Sequence, residues 1–218
     1  MKHVAIIGGG AAAAAVVGEI LRHPRAGQLA IHWFAGHCMQ GRGIAYATTS
    51  CRHVLNVRAA AMGLFADDGG AFYRDIAARE PNVRPTDFLP RAWFGDYVER
   101  TLTGLVEAAR ARGQRVDIRS TVAVAVREAA QGFVVEAEDG SRTRVDEAVL
   151  ALGALPPTAL PEVGTRALDS GHHVVDAWQP ALRATAPRRI VVIGTGLTAV
   201  DVILEAVHDW PEAQITAV

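Results

Sequence analysis

The chain has 218 residues, half of them hydrophobic, and its formal net charge at neutral pH is -1. This length and apolar fraction are sufficient to bury a substantial core, so the composition indicates a soluble globular protein. The near-zero charge offers no basic surface to nucleic acid, and no apolar stretch of about 18 residues free of turn-forming residues could cross a bilayer. Nucleic acid and membrane are therefore not expected as partners.

Cysteine and histidine usage argues against a disulfide framework and against a metal site. The two cysteines, Cys38 and Cys51, form no CxxC pair, which suits a reducing compartment. The only adjacent histidines, His172 and His173, lack cysteine or carboxylate neighbours at the spacing of metal ligands. We therefore expect a cytoplasmic location, reduced thiols and no bound metal.

The most informative pattern lies at the N-terminus, where an apolar run at 4–7 predicts a buried parallel strand and leads into three glycines. These glycines begin the G-x-G-x-x-A form of the dinucleotide-binding fingerprint. Gly8 allows a tight turn, Gly10 lets backbone N–H groups approach a pyrophosphate, and Ala13 lets the next helix pack on the strand. That helix, predicted over 11–22, would direct the positive end of its dipole at the phosphates. The candidate cofactor-binding residues here are Gly8, Gly9, Gly10, Ala11 and Ala13.

A charged start followed by an apolar stretch up to Val17 is also typical of a secretory signal. Three consecutive glycines would destabilise an export helix, however. The strand, glycine turn and helix pattern also recurs over 189–201, which a signal peptide does not explain. Two dinucleotide-binding units are therefore predicted. The candidate cofactor-binding residues of the second unit are Gly194, Thr195, Gly196 and Leu197.

The position that usually recognises the adenosine ribose lacks its usual side chain. In a βαβ unit, an Asp or Glu at the end of the second strand binds the ribose hydroxyls. The second strand is predicted over 29–34, which places Ala35 at this position, followed by Gly36 and His37. The ribose anchor is therefore missing or has moved.

The middle of the chain changes from a helical to an alternating pattern. Apolar residues recur at helical spacing over 96–112, which predicts a surface helix ending near Gly113. From Asp117 onward the alternation predicts a β-meander laid across a parallel sheet, with a hairpin turn at Asp139-Gly140 before a strand over 143–150.

A further apolar run over 148–152 predicts a buried parallel strand that turns at Gly153, the candidate cofactor-binding residue of this strand end. Several prolines between 156 and 180 then predict a polar, extended connection to the second unit. The glycine motif of that unit is predicted to open a helix over 197–208, followed by a strand over 214–218.

Several segments, in this order, resemble a group of bacterial FAD/NAD(P)-binding proteins. The group belongs to the flavoproteins with two dinucleotide-binding domains, which include flavin monooxygenases and pyridine-nucleotide oxidoreductases. This chain departs from the pattern of the group at two positions. Ala35 replaces the usual acidic residue, and Asp75 stands where the group tends to show Trp. The matching segments span nearly the whole chain: the two glycine motifs, GRGIAY at 41–46, LNVRA at 55–59, the Asp pair at 67–68, PRAWFGDY at 90–97 and ALGALPP at 151–157.

The resemblance implies roles for loop residues that spacing alone does not assign. The first glycine motif would bind the FAD pyrophosphate, and Arg42 and Gly43 would lie near its adenosine or pyrophosphate side. Asn56 would lie near the flavin, and backbone near Val122 would approach the adenine. Each side chain has a structural alternative, which is a solvated loop arginine for Arg42, a turn or capping residue for Asn56 and a core strand residue for Val122.

The predicted fold is α/β and has two units. A Rossmann-like FAD-binding domain with a parallel sheet and a β-meander is expected over 1–158, a linker over 159–187, and the start of an NAD(P)-binding unit over 188–218. The second unit stops where residues that read the nicotinamide nucleotide's ribose would begin. We therefore expect a fragment or truncated relative of a longer flavoprotein, completed by a missing C-terminal segment or a partner chain.

The leading functional hypothesis is an FAD-dependent, NAD(P)H-linked oxidoreductase, with a monooxygenase as its specific form and an unidentified small molecule as substrate. The cofactors would be FAD and NAD(P)H, and the flavin would carry the redox chemistry. No side chain stands out as an acid or base, and Asp201 is expected to be structural or a helix-surface carboxylate. The alternative is a non-catalytic dinucleotide-binding module that needs a partner chain. A simple NAD-dependent dehydrogenase would leave GRGIAY and LNV unexplained.

Overall fold

Four parallel strands form the central sheet of the computed structural model, which describes residues 1–37, 41–154, 157–176 and 186–218. The strands are β1 (Lys2–Ile7), β2 (Leu29–Phe34), β3 (Val116–Arg119) and β7 (Glu147–Leu150), and their order across the sheet is β3-β2-β1-β7. The first two strands and the helix between them, α1 (Ala11–Arg22), confirm the predicted βαβ unit.

A three-stranded antiparallel sheet covers one face of the parallel sheet. It consists of β4 (Ala123–Glu128), β5 (Phe133–Ala137) and β6 (Arg142–Val145), with the predicted hairpin turn at Gly140, whose φ is +80°. This confirms the β-meander. The prediction of one strand over 143–150 is wrong, because the chain changes sheets at Asp146. The Asp146 N–H donates to the carbonyl of His3 at 2.8 Å, and its carboxylate accepts the His3 N–H at 2.6 Å.

The strand β3 was not separated from the meander in the sequence. It pairs in parallel with β2, and it follows the long helix α4 (Arg91–Ala111). This helix starts five residues before the predicted beginning, directly after Pro90, whose φ of -55° and ψ of 137° make it the non-helical N-cap residue. It ends at Ala111, near Gly113 as predicted, and the φ of +80° at Gly113 lets the chain turn away from the helix.

The described residues between β2 and α4 form loops with short helices and one isolated β-bridge between Val54 and Pro90, as the sequence indicated. Asp75, where the resemblance suggested Trp, pairs with Arg79 at 2.5 Å and with Arg100 of α4 at 2.7 Å. The ion pair between Asp75 and Arg100 therefore joins the loop region to α4. The helical elements of this region are α2 (Gly43–Tyr46), α3 (Ala71–Ala77) and two single 3-10 turns, Ala59–Ala61 and Ala66–Asp68, whereas a further 3-10 turn, Ala26–Gln28, precedes β2.

The parallel sheet is packed on both faces. On one face, α1 and α4 cover Ile6 and Trp33, which are fully buried. On the other, the meander covers Ile7 and Phe34. This two-sided burial accounts for the continuous apolar run in β1. The expectation of a buried strand at 148–152 is wrong for its outer side, since β7 is a sheet edge and Leu150 is 62% exposed.

The second unit contains a parallel strand pair, β8 (Arg189–Val192) and β9 (Gln214–Ala217), joined by α6 (Leu197–Asp209). This arrangement confirms the second strand, glycine turn and helix pattern. A short helix, α5 (Thr165–Leu168), interrupts the predicted extended connection. Residues 155–156 of the ALGALPP segment and residues 177–185 lie outside the described residues. Among the described residues, no helix is both long and apolar enough to cross a membrane.

Candidate dinucleotide-binding site

The first glycine turn, at the end of β1, lies between the ends of β2 and β7, the two strands that flank β1. Gly8 has a φ of +132°, and a Cβ atom at this position would lie 2.0 Å from the carbonyl oxygen of Ala151, just after β7. A Cβ on Gly9 would lie 2.1 Å from the carbonyl oxygen of Ala35, just after β2. Both glycines are therefore required by the fold itself, because backbone cannot yield to a side chain here.

Gly10 is different, because the fold does not need a glycine there. Among the described residues, a Cβ on Gly10 would meet only the Cα of Gly43, at 3.7 Å, which is an ordinary contact. Gly10 caps α1 in an extended conformation, and the first turn of the helix has no acidic side chain. The first N–H groups of a helix have no intrahelical partner, and the helix dipole adds positive charge to them. The geometry fits a phosphate group, which a side chain at Gly10 would displace.

The helix α1 packs on the sheet through its small residues. Ala13 is fully buried between helix and strand, as the fingerprint predicted, whereas Ala11 is partly exposed in the first turn beside Gly10. The close approach of the helix to β1 places its N-terminus at the carboxyl edge of the sheet. This is where ligands bind in open α/β sheets.

A buried tryptophan holds the glycine turn from below. The indole Nε1–H of Trp33, which is fully buried, donates to the carbonyl of Gly8 at 2.8 Å. The N–H of Gly8 in turn donates to the carbonyl of Phe34 at 3.0 Å. Sequence analysis missed this role of Trp33, because a tryptophan in an apolar strand has the pattern of a core residue. Both groups fix the turn on β2.

The GRG loop docks directly on the glycine turn. The N–H of Gly41 donates to the carbonyl of Gly9 at 2.9 Å, and a Cβ on Gly43 would lie 2.8 Å from the Cα of Gly10. Gly43 has a φ of +55°, so both its conformation and its surroundings favour glycine. The structure thus places Gly43 against Gly10 at the N-terminus of α1, and its contact with FAD stays a prediction.

Arg42 points from the same loop toward α4. Its guanidinium pairs with Asp96 and donates to Glu99 at 2.6 and 2.8 Å, and its side chain is only 13% exposed. Burial opposes the charge, but the hydrogen bonds to Glu99 and Asp96 outweigh it and raise the pKa of the guanidinium. The alternative of a solvated loop arginine is therefore wrong. A contact of Arg42 with FAD stays a prediction, and these carboxylates compete for its charge.

The two other residues that the resemblance placed at FAD are exposed. Val122 is 40% exposed just before β4, so the alternative of a core strand residue is wrong. Asn56 is exposed, and within the described part of the chain its side chain makes no hydrogen bond, so a capping role finds no support. Gly153, with a φ of +70°, is exposed in the turn after β7. Their contacts with a cofactor stay predictions.

The second glycine turn has the same form and more open surroundings. Gly194 has a φ of +112°, and Gly196 caps α6, whose first turn has no acidic side chain. A Cβ on either glycine would meet no atom of the described residues within 4 Å. Thr195 and Leu197 are exposed beside them. This turn therefore also offers N–H groups and positive dipole charge to a phosphate.

One face of α6 contacts the first unit through two acidic residues. Asp201 lies 2.9 Å from Arg91, and Glu205 lies 3.5 Å from both Arg52 and His53 and accepts a hydrogen bond from Ser50. Asp201 is buried, so the expectation of a helix-surface carboxylate is wrong, and its structural alternative fits. Sequence analysis missed Arg91, because only the fold brings it to α6.

The described residues contain no group of three or more His, Cys, Asp or Glu side chains that could hold a metal ion. Cys51 is exposed and is a free thiol. Cys38 lies outside the described residues.

The fold is similar to solved structures of monooxygenases. The open structure of cyclohexanone monooxygenase has a TM-score of 0.66 and 19% identity, covering 100% of this chain and 39% of that one. Cyclohexanone monooxygenase from Rhodococcus sp. Phi1 bound to NADP+ has a TM-score of 0.61 and 20% identity, covering 99% and 37%. The flavin-containing monooxygenase from Stenotrophomonas maltophilia has a TM-score of 0.54 and 20% identity, covering 100% and 58%.

At these identities the similarity shows the fold alone. The chain spans less than two thirds of the length of each of these structures. No curated protein gives a significant match to the sequence.

A protein family described as FAD-NAD(P)-binding matches residues 5–155, which is more than half of the chain. The match includes the first glycine turn, the GRG loop and the meander. It confirms the resemblance to FAD/NAD(P)-binding flavoproteins, and it confirms FAD and NAD(P) as the expected cofactor class. The chain belongs to the FAD-NAD(P)-binding family.

Proposed function

We propose that the chain is the nucleotide-binding part of an FAD-dependent, NAD(P)H-linked oxidoreductase, and that this enzyme is a monooxygenase. The observation that carries the proposal is the pair of glycine turns, each at the N-terminus of a helix without acidic residues in its first turn. The likeness to flavin monooxygenase structures supports the specific form. Bound FAD would supply the redox chemistry, and NAD(P)H would supply the electrons.

The first turn is proposed to hold FAD and the second NAD(P)H. The family match covers the first turn and ends before the second. Gly10 and the α1 N–H groups would bind the pyrophosphate, Gly43 would line it, and Val122 would lie on the adenine side. These residues bind and orient the cofactor.

A second candidate function, a non-catalytic module that works with a partner chain, is favoured by the surface of the second unit. The exposed apolar side chains there are Val191, Ile193, Leu197, Val200, Leu204, Val207 and Val218. Exposed apolar surface of this kind marks contact sites for further polypeptide. We infer that further polypeptide covers this surface in the working protein. A non-catalytic module would then bind nucleotide without transferring hydride, whereas the nucleotide-binding part of an oxidoreductase would transfer hydride slowly on its own.

The experiment is anaerobic stopped-flow reduction of the FAD-loaded chain by NADH and by NADPH. Slow reduction that disappears in Gly196→Val, with FAD still bound, would support an oxidoreductase whose second turn holds the nicotinamide nucleotide. Binding of both nucleotides without any reduction would favour the non-catalytic module. Rapid, saturable reduction by the chain alone would show that no further polypeptide is needed.

A further inference from the structure

The end of β2 lacks the carboxylate that usually recognises the adenosine ribose. Ala35 occupies that position and is 2% exposed, so no side chain there reaches a ligand. Gly36 follows with a φ of +71°, and His37 is the next residue. A site that binds an adenosine through its ribose hydroxyl must take the acceptor from another element.

Glu138 brings a carboxylate to this place from the meander. Its Oε1 accepts the N–H of Val122 at 2.9 Å and the hydroxyl of Thr121 at 3.4 Å, and it lies 2.5 Å from Nε2 of His37. The N–H of Gly36 donates to the carbonyl of Thr121 at 3.2 Å. The carboxylate therefore lies over the carboxyl ends of β2 and β3, on the sheet edge that carries the glycine turn.

Among the described residues, the hydrogen bonds to this carboxylate fall on one of its two oxygens. The N–H of Glu138 donates to the carbonyl of Val122 at 2.9 Å, so Oε1 completes a reciprocal pair that closes the end of the meander. All contacts of the Glu138 carboxylate with described residues fall on Oε1. The side chain is 38% exposed, so Oε2 can accept a hydrogen bond from a ligand. A carboxylate held in one orientation loses little conformational entropy on binding.

We propose that Glu138 replaces the missing acidic residue after β2 and accepts a hydrogen bond from the 2′-hydroxyl of the adenosine ribose. The inference deepens the proposed function, because it assigns a ribose-recognising residue to the FAD site at the first turn. It also assigns a specificity: the carboxylate repels a 2′-phosphate, so the first site selects adenosine nucleotides with a free 2′-hydroxyl.

The test measures the affinity of ADP and of 2′-deoxy-ADP by titration calorimetry, in a Gly196→Val background that removes the second turn as a phosphate site. A hydrogen bond to a charged acceptor predicts that ADP binds about 10-fold more tightly than 2′-deoxy-ADP. Glu138→Ala should lower the affinity for ADP about 10-fold and leave that for 2′-deoxy-ADP unchanged. The unchanged affinity is an internal control for folding.

Two further variants separate ribose recognition from closure of the meander. Glu138→Gln keeps an oxygen for the N–H of Val122 but removes the charge, so it should retain the melting temperature and lose most of the preference for ADP. Glu128→Ala removes an exposed carboxylate from the other end of the meander and should change neither the melting temperature nor the preference for ADP. Adenosine 2′,5′-bisphosphate should bind more weakly than ADP, and Glu138→Ala should reduce that difference.

Three results would overturn the proposal: no binding of ADP, a preference for ADP that survives in Glu138→Ala, or tighter binding of ADP by that variant. FAD binding is measured separately from flavin absorbance. Glu138-dependent binding of ADP without binding of FAD would refute the flavoprotein function and keep the ribose anchor. Binding of FAD together with a preference for ADP over 2′-deoxy-ADP that does not depend on Glu138 would keep the flavoprotein function and refute the ribose anchor.

Discussion

Arg91 and Asp201 form an ion pair between the start of α4 and the helix of the second glycine motif, with Nη2 and Oδ2 2.9 Å apart. Their side chains are 14% and 6% exposed, and Oδ2 accepts no aligned hydrogen bond from a described residue. Charge attraction therefore holds the pair. The backbone carbonyl of Val54 accepts a hydrogen bond from Nε of Arg91 at 3.0 Å, which orients the guanidinium.

Asp201→Asn should destabilise the chain by about 3 kcal/mol, because removing one partner leaves a largely buried charge uncompensated. The same variant should not reduce the rate of flavin reduction thousandfold at saturating nucleotide, since we assign Asp201 no part in the chemistry. The free energy of unfolding is measured by urea titration. Asp209→Asn, at the exposed end of α6, is the matched control and should be neutral. A stable Asp201→Asn protein with lost reduction would contradict this assignment.

Trp33→Phe should loosen the first glycine turn. The substitution removes the hydrogen bond to the carbonyl of Gly8 and leaves a small cavity in a fully buried site, so we expect a loss of about 2 kcal/mol. The affinity for FAD should fall several-fold, because the turn that binds the pyrophosphate is less well fixed. Trp93→Phe is the control, since the indole of Trp93, unlike that of Trp33, donates no hydrogen bond to the turn among the described residues. Equal FAD affinities in both variants would refute a supporting role for Trp33.

The stability of the chain should fall below neutral pH through His32. Burial lowers the pKa of His32, and the hydrogen bond and charge of Asp117 oppose this only in part. The charges of Arg119 and His3 lower the pKa further. The folded state then binds fewer protons than the unfolded state below the ordinary pKa of 6.5, so stability is lost as the pH falls from there toward the lowered pKa. Urea midpoints measured from pH 7.5 to 5 should depend less on pH in His32→Gln. An equal pH dependence of the urea midpoint in both proteins would contradict the lowered pKa of His32.

The local pattern was sufficient to predict the first strand, the glycine turn and α1, because their periodicity and glycine spacing depend on neighbouring residues only. The pattern was not sufficient to assign β3, whose residues alternate like those of the meander and pair instead with β2. The break at Asp146 was equally hidden, because it depends on contacts with His3, which is distant in the sequence.

The candidate site shows the same division. The glycine fingerprint identified the turn and separated Gly8, which makes it, from Gly10, which admits the phosphate. It gave Gly9 no role of its own, whereas in the structure a side chain on Gly9 would clash with the carbonyl oxygen of Ala35. It could not identify Trp33 or Glu138 either, because each reaches the site through tertiary contacts. The absence of an acid at Ala35 was visible in the sequence, whereas its candidate replacement becomes visible only when the meander is placed over β2.

The most direct measurement is the amount of FAD bound by Gly10→Val and by Gly196→Val at saturating FAD. A Cβ is tolerated at both positions, since it would meet only Gly43 Cα at 3.7 Å in the first case and no described atom within 4 Å in the second. Circular dichroism should therefore show folded protein for both variants. We expect Gly10→Val to lose FAD, because the side chain would occupy the place of a phosphate, and Gly196→Val to retain it. Full FAD occupancy in Gly10→Val together with its loss in Gly196→Val would contradict the assignment of FAD to the first turn.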